Sequence, residues 1–377
     1  MAPQVDLYAA LKVAEQNDDK EAIVRYAILL ATQLLKERLT LDSLRMLQRH
    51  DAVFLLADSK KLLSRIAVII LSELEDFTWS GEGGESFGGG EGGGGGQRTS
   101  VYAALRDCFC TLLTTNSSLN VIERSLFEKY LLISHYLTEK AILEAMIREQ
   151  EGSGNGGGGG GGKGGISNFR ELHLKISVSL LRYTDVIRAD KAFYEAGMAA
   201  RGANRPEMAF VFLNHFLDLL DAIEEHDLNV DHSDFVGTDI PYEVPLPSAP
   251  YYDQEVVEGV KSWILQMSMD TELSQSLPMD PLREGEVYEA SLINADGSQC
   301  LPCLVTGYPV IRHKAIEFKA GKYAANKEDW NRLLMLAKMS ESSEENSSKE
   351  SDQQLKAVLH FVGRLCGNAT IVKFSFQ

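Results

Sequence analysis

Phe193-Tyr-Glu-Ala-Gly197-Met-Ala-Ala200-Arg-Gly202-Ala-Asn204-Arg-Pro206-Glu-Met-Ala209-Phe-Val-Phe-Leu213 reads as two helices joined by a short turn. Apolar and small side chains recur at three- and four-residue spacing on both sides of Gly202-Ala-Asn204-Arg-Pro206, and Asn204 and Pro206 suit a helix start. Working outward from this pair, the same periodicity predicts helices over 21–38, 40–48, 59–74, 100–115, 120–135, 139–148, 169–188, 191–201 and 207–225. Short polar breaks separate them, so the first 227 residues are expected to form helical hairpins stacked side by side.

Gly197 and Ala209 stand twelve residues apart, as the small residues of a tetratricopeptide unit do where two helices cross closely. Phe193, Ala200 and Leu213 complete that pattern only in part, and an ordinary helical hairpin accounts for the same residues. Either form gives an α-solenoid whose concave face could bind protein, and neither suggests chemistry.

Two tracts interrupt the helices. Of the 32 glycines, 22 lie between Gly81 and Gly96 or between Gly152 and Gly165. The backbone entropy of such runs opposes ordered structure, so both read as disordered insertions into a glycine-poor chain. No Lys-Ser or Lys-Thr follows either tract, so neither is a phosphate-cradling P-loop.

The balance of 54 acidic against 37 basic residues gives a formal charge of −17, which repels nucleic acid and anionic membrane. No window reaches the roughly 18 consecutive apolar residues of a membrane span. The first residues, 1–11, carry neither the basic nor the long apolar region of a secretory signal. Five cysteines, an odd number, fit a reducing compartment better than a disulfide framework.

The pattern changes after Asp227. Pro241, Pro245, Pro247 and Pro250 make residues 228–252 a stiff linker or an extended strap. A helix over 253–269 and a connector follow, to residue 284. Residues 285–377 then read as a small α+β module. Strands over 287–293 and 300–305 are joined by a hairpin turn at Asp296-Gly297. A helix over 326–338 has Asn326 in position to cap it and Asp329 in its first turn. After a serine- and acid-rich loop over 340–352 come a helix over 354–366 and a closing strand over 370–376.

Catalytic and metal chemistry find little support in this module. Cys300-x-x-Cys303 has the spacing of zinc ligands, and His313, His360 and Cys366 could complete four, but no second paired set is present. A redox pair would want a helix N-terminus, whereas this one lies on an expected strand, so packed or half-exposed cysteines are the reading. Cys108 and Cys110 point to different helix faces, and His135, His173 and His215 fall one to a helix without paired acids. No nucleophile, base and orienting group can be assembled. The expectation is no catalytic residue, no metal and no cofactor.

Leu301-Pro-Cys-Leu-Val-Thr-Gly-Tyr-Pro-Val310, Glu317-Phe318, Ala324-Ala-Asn-Lys-Glu-Asp-Trp-Asn331 and Phe374-Ser-Phe-Gln377 together resemble the C-terminal part of the intraflagellar transport protein 172 family. These are large subunits of the peripheral B complex of ciliary trains. Pro245-Leu-Pro247, the helix bearing Trp263 with Met267-Ser-Met-Asp270, and the tetratricopeptide-like pair fit the same family. The resemblance is specific from about residue 239 to 377 and looser before it. The family's N-terminal β-propellers and most of its solenoid are not in this sequence, which therefore reads as a fragment.

The resemblance implies a non-catalytic scaffold in the cilium or flagellum, including basal body and tip, with a cytoplasmic pool. It implies binding to other subunits of the B and A complexes, and roles in cilium assembly and train turnaround. It also implies that the terminal module is similar to a U-box, the zinc-free relative of the RING fold. On that alternative Leu304, Val305, Pro309 and Trp330 would face a ubiquitin-conjugating enzyme or ubiquitin. Each has a plainer role: Val305 as core, Pro309 shaping the turn after Gly307, and Trp330 closing the module's own interior.

Overall fold

The computed structural model describes residues 6–72, 95–153, 163–226, 230–269, 274–311, 315–318, 322–342 and 349–365. The glycine tracts fall largely outside these, as do the expected closing strand, His313, Cys366 and residues 343–348 of the serine-rich loop. Among the described residues the chain is mostly helical, with twelve α-helices and one two-stranded sheet. No described helix is long and apolar enough to cross a membrane. The chain divides into two compact units, Met1–Thr138 and Glu139–Gln377.

In the first unit α1 (Leu7–Gln16), α2 (Lys20–Lys36), α3 (Thr40–Gln48), α4 (Ala57–Ser72) and α5 (Gly95–Thr115) lead into α6 (Val121–Ser153), which continues past the division. α1 packs on α2, α2 on α3 and α3 on α5, the order in which a hairpin stack buries each apolar stripe against the next. Asp6 and Asp19 accept hydrogen bonds from first-turn amides of α1 and α2, supplying partners that a helix start otherwise lacks. Asp18 and Arg38 adopt left-handed backbone in the turns that reverse the chain. Leu30, Leu44, Leu47, Ile66, Leu105 and Phe109 are buried in the core, where Phe109 stacks on Phe127 at 5.7 Å. The Ser43 hydroxyl ties α3 to the Ala31 carbonyl of α2 at 2.7 Å.

The break expected between residues 135 and 139 is absent, and α6 runs through it. Tyr136-Leu137-Thr138 contains neither Gly nor Pro. The Thr138 hydroxyl bonds back to the Ser134 carbonyl, four residues before it, so its polarity is satisfied inside the helix.

In the second unit α7 (Lys163–Leu180) ends in a 3-10 turn, Leu181–Tyr183, and α8 (Ala189–Gly202) and α9 (Pro206–Glu225) form the hairpin quoted at the outset. A Cβ on Gly197 would lie 2.5 Å from Leu213 Cγ, so only glycine permits this crossing. Ala209 is fully buried beside it, and Asn204 takes the left-handed turn position. Residues 230–252 form a strap. Phe235 meets Phe193 at a tilt and His215 edge to face, and the Tyr251 amide donates to Asp190 at 3.0 Å. α10 (Gln254–Ser268) then packs on α9 through Val257 and Val260.

The remainder is only partly the expected α+β module. Its turn forms, with Gly297 in left-handed backbone and the Asn294 amide bonded to the Ser298 carbonyl. The two expected strands do not form; isolated bridges such as Ile293 to Gln299 and Pro302 to Pro309 stand in their place. Pro302 has no N–H to offer a ladder, and the carbonyls of Tyr288, Glu289 and Ser291 are taken by the Arg283 guanidinium instead. The sheet is β1 (Ala315–Glu317) against β2 (Ala324–Asn326), antiparallel, with Ile316 opposite Ala325. Helices α11 (Lys327–Ser342) and α12 (Lys349–Leu365) follow and pack on each other.

Candidate functional site

The loop carrying the expected partner-contacting residues is seated on α7 and the 3-10 turn that follows it. Gly307 makes this possible. Its φ is +75°, and a Cβ there would lie 2.6 Å from Ser179 Cβ, so the loop approaches α7 backbone-first.

Arg182, whose side chain is nearly buried, binds three separated segments. Its Nε donates to Asp239 of the strap at 3.1 Å, Nη1 to the Gly307 carbonyl at 2.6 Å and Nη2 to the Ala290 carbonyl at 2.7 Å. The same Asp239 oxygen also accepts the Leu292 amide at 2.9 Å. About two turns earlier, on α7, the Lys175 ammonium reaches Asp329 at 2.8 Å and lies over the Tyr308 ring. Asp329 is 1% exposed and takes a further hydrogen bond from Thr306 at 2.9 Å. It serves as a buried anchor for α7 rather than as a solvent-facing charge at the start of α11. Arg205 and Glu289 add an outer ion pair at 3.3 Å, and the Tyr308 hydroxyl donates to the same carboxylate. A fixed guanidinium fork suits this seat because it presents several donors in one plane.

The four residues carried over from the U-box likeness are all buried. The Leu304 amide donates to the Ala324 carbonyl at 2.9 Å. The Pro309 carbonyl accepts from Asn326 Nδ2 at 3.1 Å. Trp330 meets Phe318 edge to face, with ring centroids 5.5 Å apart, inside the module. Val305 is as deeply buried as Leu304. As folded, none of the four presents an open surface.

Asn326 does not act through its side chain at the start of α11. Its Oδ1 accepts the Ile311 amide while Nδ2 holds Pro309, so it pins the loop after Gly307 to β2. The two module cysteines have separate partners. Cys300 is half-exposed beside the Asn294 amide, whereas Cys303 is buried and its sulfur accepts the Asn326 amide at 3.3 Å. Burial, reinforced by the Asp329 carboxylate, pushes the Cys303 thiol up to about 11, so at neutral pH it is a packed thiol and no nucleophile. His360 is exposed on α12. Among the described residues no group of three or more His, Cys, Asp or Glu is placed to hold a metal ion.

Sequence reasoning missed Arg182, Lys175 and Asp239 as anchors. The partners that anchor them lie 53 to 154 residues away, and nothing local distinguishes Arg182 from the other cations inside an expected helix.

No family model matches the sequence. Among curated proteins, the chain is 43% identical over 281 residues to the intraflagellar transport protein 172 homolog of Mus musculus, covering 73% of this chain and 14% of that protein. The Danio rerio homolog is 41% identical over 282 residues, 74% of this chain and 14% of the relative. Intraflagellar transport protein 172 of Chlamydomonas reinhardtii is 34% identical over 222 residues, 56% of this chain and 12% of the relative. The chain thus spans about one-seventh of the length of these relatives, at their C-terminal end. A 43% identity sustained over nearly three-quarters of this sequence settles its kinship: the chain belongs to the intraflagellar transport protein 172 family.

Proposed function

We propose that this chain acts as a non-catalytic scaffold segment of an intraflagellar transport train, working in the cilium or flagellum and contributing to cilium assembly and train turnaround. The observation that carries this reading is the match, over 73% of the chain, to a protein named for intraflagellar transport. Consecutive helices packed in chain order support an α-solenoid, and close crossing at Gly197 supports a tetratricopeptide-like unit within it. In this reading the helical faces bind other subunits of the B and A complexes. Residues 285–377 form a U-box-like module that uses side-chain packing and ion pairs where a RING domain uses zinc. Its contribution is to terminate the helical stack, because Arg182 and Lys175 bind it to α7.

The test is a replacement. The mouse relative is expressed without its matched segment, or with this chain in place of that segment, in ciliated cells lacking the endogenous protein. Restored cilium length and train movement with the replacement, and failure without the segment, are expected. Equal failure of both, with the replacement protein stable and abundant, overturns the reading.

A further inference from the structure

The end of α9 and the strap that follows it form an acidic notch with no cation to answer it. From Pro206 to Val260 the chain carries 13 acidic residues and no lysine or arginine. Asp239 is paired with Arg182, and Glu258 with Lys261. Asp218 and Asp221, three residues apart on α9, and Asp231 and Asp234, on the strap, have no lysine or arginine partner among the described residues. The charged neighbours of Asp218, Asp231 and Asp234 are other carboxylates and the imidazoles of His215 and His232. Burial and the three like charges around it raise Asp218 to about 6, the mark of carboxylates crowded together without a counter-charge.

The two imidazoles supply a second, independent observation. His215, three residues before Asp218 on α9, is 2% exposed, and its ring lies 4.9 Å from that of His232 on the strap. Nε2 of His215 and Nδ1 of His232 are buried with no hydrogen-bond partner, while the backbone of Asp231 and of Tyr242 holds the opposite nitrogen of each ring. Burial keeps both rings neutral at neutral pH, so a ring that donates on one side has only a lone pair on the other. The unsatisfied atoms of this notch therefore accept hydrogen bonds, and none of them donates; a buried acceptor left unmet costs free energy. Such a notch calls for a cationic donor. Among the described residues no three groups are placed to hold a metal ion, which favours an organic cation. A guanidinium carries five donors in one plane and can bridge carboxylates on two elements, and the exposed Tyr242 ring, edge-on to His232 at 5.7 Å, offers it an aromatic face. We infer that Asp218, Asp221, Asp231 and Asp234 bind an arginine side chain from a basic segment of a partner protein. The assignment rests on the scaffold reading and gives it a contact surface.

The test uses the full 377-residue chain and three short synthetic peptides: one with arginines spaced by glycine and serine, one with lysines in their place, and one with the neutral analogue citrulline. Fluorescence anisotropy is expected to show binding of the arginine peptide that weakens with salt, weaker binding of the lysine peptide and none of the citrulline peptide. The variant D218N/D221N/D234N should bind the arginine peptide about tenfold more weakly and keep the helical circular dichroism of the parent. The variant E284Q/E286Q/E328Q removes three charges elsewhere in the second unit and should bind as the parent does. In NMR spectra the imidazole signals of His215 and His232 should move when the arginine peptide is added, while that of His360, exposed on α12, stays in place. Equal weakening by the two triple variants, equal binding of the citrulline peptide, an unmoved His215 signal, or tighter binding of zinc ion than of the arginine peptide at the two imidazoles would each overturn the proposal. In the cell replacement described above, D218N/D221N/D234N is expected to reduce rescue. Full rescue by that variant would sink this surface and leave the scaffold reading intact, whereas failure of the unaltered chain would sink the scaffold reading itself.

Discussion

Replacing Arg182 by methionine keeps most of the side chain's length and removes its five donors. Three hydrogen bonds are lost at once, to Asp239, Gly307 and Ala290, on the strap, the seated loop and the irregular segment before it. Hydrogen bonds involving a charged group contribute about 1.5–3 kcal/mol each, but bonds made by one group are not additive. The better guide is the breaking of a buried ion pair, about 3–5 kcal/mol, because Asp239 keeps its charge and only the Leu292 amide to answer it. At roughly 2–4 °C per kcal/mol for a unit of this size, the melting transition that reports the second unit falls by about 10 °C. Calorimetry measures that shift, and limited proteolysis should show faster cleavage within residues 230–311. Arg182→Lys is expected to fall between, since one ammonium cannot span three acceptors on separate segments. An Arg182→Met chain that melts within about 1 kcal/mol of the parent, with an unchanged digestion pattern, would refute the idea that this guanidinium holds the segments together.

Gly307→Ala combines a left-handed backbone with a 2.6 Å approach to Ser179 Cβ, so denaturant titration should show a loss of about 2 kcal/mol or more; an unchanged midpoint would mean that the loop does not sit on α7. Gly197→Ala should cost about 1–3 kcal/mol through overpacking against Leu213, and Leu213→Ala in the same chain should recover part of it; simple additivity of the two losses would contradict the close crossing. Burial and the neighbouring His232 hold the His215 imidazole down to about 3, from its ordinary 6.5, so stability present above pH 6.5 is lost as pH falls. Burial and the nearby Asp221, Asp231 and Asp234 raise Asp218 from 3.8 to about 6, and that contribution has the opposite sign: full below 3.8, lost as pH rises through 6. Between pH 6 and 4 the two oppose each other, so Asp218→Asn should steepen the acid loss of stability and His215→Phe should flatten it; urea midpoints at pH 4, 5, 6 and 7 with the same slope in both variants would reject the assignment.

The helices were legible because each buries one stripe, and a stripe repeats every three or four residues whatever lies opposite it. The hairpin around Gly202 needed no more than that, plus two small residues and a proline at the first position of α9. The same rule failed at 136–138, where polar residues suggested a break but Thr138 satisfied itself within the helix. It failed more broadly after residue 285, where alternation suggested two strands. There the backbone acceptors are satisfied by arginine side chains, and a guanidinium leaves no periodic trace in the segment it serves. The four positions expected to contact a partner are buried instead, through contacts that no local pattern records.

Holding an irregular segment by side-chain forks instead of a ladder has a consequence for how the second unit works. A ladder is repetitive, so losing one rung costs little, and a strand pair can remain formed by itself. Here Arg182 ties the strap, residue 290 and residue 307 into one node, while Lys175 and Asp329 tie the start of α11 to α7. Each node has its cation on α7 or the turn after it and at least one acceptor on the terminal segment, so the two parts share their buried polar groups. Such coupling transmits: a partner that pulls on α7 or on the strap acts on the terminal segment through the same two cations. In the proposed scaffold role, an end segment locked by a few long-range ion pairs would stay in register with the helices it closes. Arg182 and Lys175 lie 125 and 154 residues from Gly307 and Asp329, so each cation joins segments that the chain itself leaves far apart.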